Sequence, residues 1–496
     1  MLTLTFKIKI RDPFKIFILL YYSILLLLHY LEIGRILPLH QTGADISTHL
    51  KNAKYLFMDW DSYNAYPYIG FHILLSPLYL LPPDHNVLYQ IAGLLIFVNL
   101  IMILALYTFV KKLFSSSTPA FFATLLMSAG NLVWIKLLPC IGIIAYKDGY
   151  KCFNPFESLL FTSRYNVSNY FLTQFSPLTL SLMLICFLLS LIISRNEKMF
   201  ARALNKVFVI LFIIFIYLIH PLYAILLPLF LGFTIFVTYY RKGETIFSKH
   251  FNILLFVLCS SSFVPALVAC FASNASQVYR FQTFMFFLSN VILCLTIFYL
   301  LKKRQIIMIG ISRLLQGKSN LLFKYLFLAI VFIWIYSLCL LYFVKNFNAW
   351  KIILQPTPLW LYPIIIGGGP PLIMGLLAFV KNPDLRKISL VFLVYPSLFV
   401  MAAPLIDYIN FRLLGFFVEG VLMYSGVTSG RILAMANLLY LITSGIALGH
   451  AVDLNPSNKY IVIGICILSI LIIPNILVSL KYWNIIYQLL LPRLSS

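Results

Sequence analysis

Charged residues are scarce in this chain, and acidic residues are the scarcest of them. Asp, Glu, Lys and Arg make up 10% of its 496 residues, and only 14 residues are Asp or Glu, whereas about 25% of a soluble domain is charged. Hydrophobic residues reach 62%. This composition excludes an ordinary soluble globular protein, and repeated apolar runs of about 20 residues predict a polytopic membrane protein.

Internal repeats, low-complexity tracts and soluble-domain segments are also missing. Their absence predicts one membrane domain over residues 1–496 and gives no support to the inverted repeats of many transporters. The expected fold is an all-α transmembrane bundle of about 13 helices, within a range of about 12 to 14. Its first extracytoplasmic loop is expected to be long.

The cations outnumber the acids and leave a formal net charge of +23. They lie in clusters between apolar runs, where the positive-inside rule places them in the cytoplasm. The excess of cations therefore indicates how the chain is oriented in the membrane and does not indicate nucleic-acid binding. The clusters at 111–112, 195–206 and 302–324 are therefore predicted to be cytoplasmic. The loops at 38–86 and 139–175 are predicted to be extracytoplasmic.

The apolar runs predict where the chain crosses the membrane. The first runs lie near 16–37, 87–110, 119–138, 176–193 and 207–240, and His220-Pro221 breaks the last of these into a helical hairpin. Later in the chain, Asp407 is expected outside the membrane, and the region from there to His450 allows one crossing or two. In the second outer loop, Cys140 and Cys152 are either free or joined by a disulfide.

The first outer loop concentrates acidic residues. Asp45 follows the first span closely and precedes His49 by four residues, so a short helix would place both on one face. Asp59 and Asp61 form a D-x-D pair, and in an extended segment both carboxylates would project to one side. That spacing suits a divalent cation, Mg²⁺ or Mn²⁺, shared with a phosphate. A solvated loop, with its acids present for solubility, is the alternative.

A carboxylate just outside a bilayer can act as general base on an acceptor hydroxyl, while a cation stabilises a departing phosphate. This is the chemistry of sugar transfer from a lipid-linked donor. The same loop is rich in aromatic residues, which are expected either to stack on a sugar or to pack in the loop interior. They are Trp60, Tyr63, Tyr66 and Tyr68.

These features resemble the GT-C superfamily of integral membrane glycosyltransferases. The matching residues are Gly43-x-Asp45-x-x-x-His49, Tyr66-Pro67-x-x-Gly70-Phe71-His72, His220-Pro221 and Arg412. The resemblance implies a polytopic fold and a polyprenyl-phosphate-linked sugar donor. It also implies Asp45 as catalytic base, His49 and His72 as site residues, and Arg412 as a phosphate-binding cation.

Two of these residues have structural interpretations as well. His220 stands at a helix break near the outer face, where it either meets a donor phosphate or caps the helical hairpin. Arg412 carries a planar guanidinium that suits bidentate phosphate binding. A salt bridge from Arg412 to Asp407 or Glu419 is the alternative.

The preferred function is sugar transfer from a polyprenyl-phosphate-linked donor to a glycan, lipid or protein acceptor at the extracytoplasmic face. A polymerase that joins lipid-linked repeat units and a transporter or flippase for lipid-linked oligosaccharides are the alternatives. A transporter would place ionisable residues at mid-membrane, whereas the acids here cluster in an outer loop. The expected location is the plasma membrane of a prokaryote or the endoplasmic reticulum membrane of a eukaryote.

Overall fold

The computed structural model describes residues 12–29, 44–63, 68–80, 95–129, 176–194 and 203–220. It also describes residues 227, 234, 439, 441–443, 445, 446, 448, 449, 452 and 453. Seven α-helices within these residues have complete bounds: α1 Pro13–His29, α2 Ala44–Met58, α3 Ile69–Leu75, α4 Val98–Phe114, α5 Ser117–Ala129, α6 Pro177–Ser194 and α7 Ala203–Ile219. Short 3-10 helices cover Trp60–Ser62, Ser76–Leu80 and Leu95–Phe97.

The helix bounds follow the apolar runs. α6 begins and ends one residue after the run expected at 176–193, and α1, α4 and α5 overlap the first three runs. α7 ends at Ile219, and His220 is no longer helical, so the helix stops where the His220-Pro221 break is expected. Within the described part of the chain, the structure contains no helix that combines the length and the apolar character required for a membrane crossing.

Side-chain caps account for the starts of α1 and α6. Asp12 precedes α1 and accepts a hydrogen bond from the Lys15 backbone N–H at 3.3 Å, with Pro13 at the first helical position, where its missing N–H costs nothing. Ser176 and Thr179 cap α6 reciprocally, since each hydroxyl accepts a bond from the other residue's backbone N–H, at 3.3 and 3.2 Å. These bonds satisfy donors that a helix start leaves without partners.

α4 lies at the centre of the described helices. It packs against α1, α5 and α6, and α6 in turn packs against α7. Its buried residues recur every three or four positions and share one broad face of the helix, as expected for a helix that packs an apolar face against its neighbours. They are Asn99, Met102, Ile103, Leu106, Tyr107, Phe109, Val110, Leu113 and Phe114.

One end of this group of helices is held by a cluster around Asp12. The Asp12 carboxylate forms an ion pair with Lys111 and accepts the Tyr107 hydroxyl at 2.9 Å. Lys112 donates to the Ser190 carbonyl at 3.4 Å. The start of α1, the end of α4 and the end of α6 therefore meet at one place. All three ends are predicted to be cytoplasmic.

Two glycines late in the chain allow a close approach to α5. A Cβ on Gly445 would overlap the backbone of Ala123, and a Cβ on Gly449 would overlap the backbone of Pro119. Their G-x-x-x-G spacing places both on one helix face, a pattern that brings two helix backbones close together. Beyond them, Asp453 accepts a hydrogen bond from the Ser116 hydroxyl at 2.7 Å.

Candidate functional site

A helix covers the segment that contains Asp45 and His49. α2 runs from Ala44 to Met58, so Asp45 lies in its first turn and His49 one turn later, on the same face of the helix. The Asp45 side chain lies outside the described part of the structure, so its placement rests on the helix alone. α2 packs against α3, which carries His72.

His49 and His72 are joined by a hydrogen bond. His49 Nδ1 lies 2.8 Å from His72 Nε2, and the Tyr63 hydroxyl lies 2.8 Å from His72 Nδ1. Both ring nitrogens of His72 are therefore engaged, one by each neighbour. The three side chains form a continuous chain of hydrogen bonds, named here the Tyr63–His72–His49 chain.

The Tyr63–His72–His49 chain is shielded from solvent at its middle residue, His72. His72 and Tyr63 are buried, while His49 is half-buried. Burial penalises the imidazolium form and lowers the pKa of His72 from its ordinary value to about 4. His72 is therefore neutral at physiological pH and carries one ring hydrogen.

The segment 44–80, which is predicted to lie in the first outer loop, is joined to the end of α7 through α3. A Cβ on Gly70 would lie 2.8 Å from the Leu218 Cβ and 2.9 Å from the Leu218 carbonyl carbon, so only glycine allows this approach. Next to it, the Tyr68 ring contacts the His220 ring edge-on, with centroids 5.3 Å apart. The Tyr68 ring also contacts the His49 ring, at 5.2 Å. His49, His72 and His220 therefore belong to one cluster.

The D-x-D pair does not lie in an extended segment, so the condition under which both carboxylates project to one side is not met. Asp59 precedes a 3-10 helix, Trp60–Ser62, that contains Asp61. The Asp59 carboxylate caps this helix, accepting from the Ser62 backbone N–H at 3.4 Å and from the Ser62 hydroxyl. A short polar side chain that bonds its own backbone favours such turns over extended structure.

Asp59 and Asp61 do not form a complete metal site with the other described residues. Both side chains are exposed, and the described part of the chain contains no group of three or more His, Cys, Asp or Glu side chains that could hold a metal ion. Two carboxylates, one of them engaged in a cap, supply too few ligands for Mg²⁺ or Mn²⁺. Binding of a divalent cation by Asp59 and Asp61 stays a prediction.

The described aromatic residues of this segment differ in exposure. Tyr63 is buried and bonded to His72, so it packs in the loop interior. Trp60 stacks on Tyr63, with ring centroids 5.8 Å apart and planes at 20°, and the Trp60 side chain is 52% exposed. It therefore offers an open aromatic surface beside the cluster, whereas Tyr66 falls outside the described residues.

Some of the predicted site residues lie outside the described part of the chain, and the sequence does not predict the hydrogen bond from Tyr63 to His72. Arg412, Cys140 and Cys152 lie outside the described residues. Tyr63 was expected only as a stacking or packing residue, and its bond to His72 spans nine positions. A nine-residue spacing matches no helical or strand period, so the only signal in the sequence was a tyrosine in a loop that also carried histidines.

No protein-family model matches this chain, and no curated protein or solved structure matches it either.

Proposed function

We propose that the protein is a membrane glycosyltransferase that transfers a sugar from a polyprenyl-phosphate-linked donor to a glycan, lipid or protein acceptor on the extracytoplasmic face. One observation carries the proposal. The loop helix that bears Asp45 and His49 packs on the helix that bears His72, and Tyr68, which contacts His49, also contacts His220 at the end of α7. His49, His72 and His220 lie far apart in the sequence, yet they belong to one cluster.

Exposed apolar surface supports the membrane part of the proposal. α1 is apolar on both faces, yet the buried residues among its described side chains, Ile18, Tyr22 and Leu26, lie on one face. The opposite face includes Leu20 and Ile24, each 57% exposed. A helix that is apolar all round and covered on one side only is typical of contact with lipid.

The proposed reaction is a single displacement at the anomeric carbon. Asp45 takes the proton of the acceptor hydroxyl as its oxygen forms a bond to that carbon, and the bond from the carbon to the phosphate oxygen breaks. The polyprenyl phosphate leaves with the bonding electron pair. Arg412 is proposed to bind that phosphate through its planar guanidinium, as a cation for the charge that develops there.

The direct test is the substitution Asp45→Asn, which keeps the size of the side chain and removes its basicity. Loss of a positioned general base lowers the rate by about 10²–10⁴-fold. The measurement is transfer of radiolabelled sugar from a panel of polyprenyl-phosphate monosaccharides in proteoliposomes that contain the purified protein. The matched control is Lys54→Gln, an exposed residue on the opposite face of α2, which should leave the rate within about twofold.

Two outcomes would change the assignment. Full activity in Asp45→Asn, with a large loss in Asp59→Asn or Asp61→Asn, would move the base to the D-x-D pair. No transfer by the unaltered protein from any donor in the panel, with oligosaccharide movement across the vesicle membrane instead, would replace the enzyme by a transporter.

A further inference from the structure

The Tyr63–His72–His49 chain links the hydrogen positions of its three members. A neutral imidazole has one nitrogen that donates and one that accepts. His72 has partners at 2.8 Å on both nitrogens, so its hydrogen can point either to Tyr63 or to His49. The choice at His72 fixes which nitrogen of His49 carries a hydrogen.

The Tyr63 phenol favours one direction of donation along the Tyr63–His72–His49 chain. A tyrosine hydroxyl has a hydrogen to donate, and a neutral imidazole nitrogen is a strong acceptor for it. If Tyr63 donates to His72 Nδ1, the single hydrogen of His72 lies on Nε2 and is donated to His49 Nδ1. His49 Nδ1 then accepts, so the ring hydrogen of a neutral His49 lies on its Nε2.

We propose that Tyr63 and His72 are positioning residues that hold His49 in the tautomer with its hydrogen on Nε2. In this form His49 is a hydrogen-bond donor to an anionic oxygen and not a base. Protonation of His49 at Nδ1 would place two hydrogens between the rings, unless the whole chain of bonds reversed. The consequence for catalysis rests on the proposed function: proton abstraction falls to Asp45, and His49 orients or neutralises an oxygen beside it.

Burial makes the arrangement stable. His72 and Tyr63 have little access to water that could satisfy either of them in another orientation. A buried donor or acceptor that loses its partner destabilises the folded state. In the reversed direction the Tyr63 hydroxyl would accept a hydrogen from His72, whereas in the direction described here it donates to the stronger acceptor.

The tautomer can be measured without an activity assay. Nitrogen-15 NMR of the full-length protein, labelled at histidine and reconstituted in lipid at pH 7.5, distinguishes ring nitrogens with and without hydrogen. The His49 signals are identified by their loss in His49→Gln. The expected spectrum shows His49 with a hydrogen on Nε2 and an accepting Nδ1. A hydrogen on His49 Nδ1 would overturn the proposal.

A pair of tyrosine variants isolates the contribution of Tyr63. Tyr63→Phe removes the hydroxyl that bonds His72, so both tautomers of His49 should become populated. Tyr79→Phe is the matched control, because the Tyr79 hydroxyl donates to the Leu50 carbonyl at 2.7 Å and thus holds the same helix without touching His72. The control should leave the His49 signals unchanged. Unchanged signals in Tyr63→Phe, or equal changes in both variants, would contradict the role of Tyr63.

Kinetics test the catalytic consequence separately. Tyr63→Phe should lower kcat about tenfold, whereas Tyr79→Phe should stay within about twofold. In a His49→Gln background, Tyr63→Phe should cause no further loss, because it acts through His49. Additive losses would assign Tyr63 a structural role only. If the unaltered protein shows no transferase activity but has the expected tautomer, the proposed function fails and the positioning of His49 stands.

Discussion

The Tyr68 ring lies edge-on against the His220 ring, with centroids 5.3 Å apart, and this contact joins the predicted first outer loop to the end of α7. It occurs beside the tight approach of Gly70 to Leu218. Because a backbone contact cannot adjust as a flexible side chain can, the position of His72 relative to His220 depends on the absence of a side chain at residue 70.

Gly70→Ala should therefore displace α3 from α7. An added Cβ 2.8 Å from the Leu218 Cβ requires the backbone to shift, and overpacking of this kind costs about 1–3 kcal/mol. We expect a lower thermal midpoint by scanning fluorimetry and loss of most transferase activity. Ile73→Ala, an exposed change on the same helix, should affect both far less. Wild-type activity in Gly70→Ala would show that the α3–α7 contact does not position the site.

The folded state should lose stability in acid because of His72. Its pKa is lowered to about 4 by burial, while an unfolded histidine titrates near 6.5. Below about 6.5 the unfolded state binds a proton that the folded state does not, so the free energy of unfolding falls as the pH drops from about 6.5 towards 4. His72→Gln, which does not titrate, should show a weaker decrease of the thermal midpoint between pH 7 and pH 5. An identical decrease in both proteins would contradict this assignment.

The Asp12 cluster should contribute to stability through a charged network. Burial raises the pKa of Asp12, but bonds from Lys111, Tyr107 and the Lys15 N–H outweigh it, and the pKa lies below its ordinary value. Its contribution is therefore present above pH 4 and is lost as the pH falls through the lowered pKa. Asp12→Asn should lower the free energy of unfolding at pH 7 by about 1–3 kcal/mol. A double-mutant cycle with Lys111→Gln checks this, and strict additivity would show that the ion pair contributes nothing.

Cysteine labelling tests the predicted orientation. Ser62 and Ser115 are both exposed, and the positive-inside threading places them on opposite sides of the membrane. Ser62→Cys should react with an impermeant maleimide added outside intact cells. Ser115→Cys should react only after the membrane is opened. Equal labelling of both in intact cells would refute the threading.

The sequence predicts most of what depends on local pattern. The bounds of α6 and the end of α7 at Ile219 follow from apolar runs and from Pro221, because a proline cannot continue a helix. The shared face of Asp45 and His49 follows from their four-residue spacing once that segment is helical. In each case the information lies within a few residues of the feature.

The sequence predicts less where contacts between distant residues, or competing hydrogen bonds, determine the local structure. The D-x-D pair has no preference for an extended segment once Ser62 bonds the Asp59 carboxylate, and a spacing rule does not include that competing bond. The role of Tyr63 depends on how α2 and α3 pack. The tight approach at Gly445 and Gly449 depends on a helix more than 300 positions earlier in the chain.

The close approach of Gly445 and Gly449 to α5 also bears on the predicted number of membrane crossings. Gly445 meets Ala123 and Gly449 meets Pro119, so residue numbers rise in one helix as they fall in the other, and the two run antiparallel. Asp453 consequently lies beside Ser116, close to the cations at 111–112. On the positive-inside threading, Asp407 is outside and Asp453 is inside. If this threading holds, the number of crossings between them is odd, so the antiparallel approach favours the prediction of one crossing over that of two.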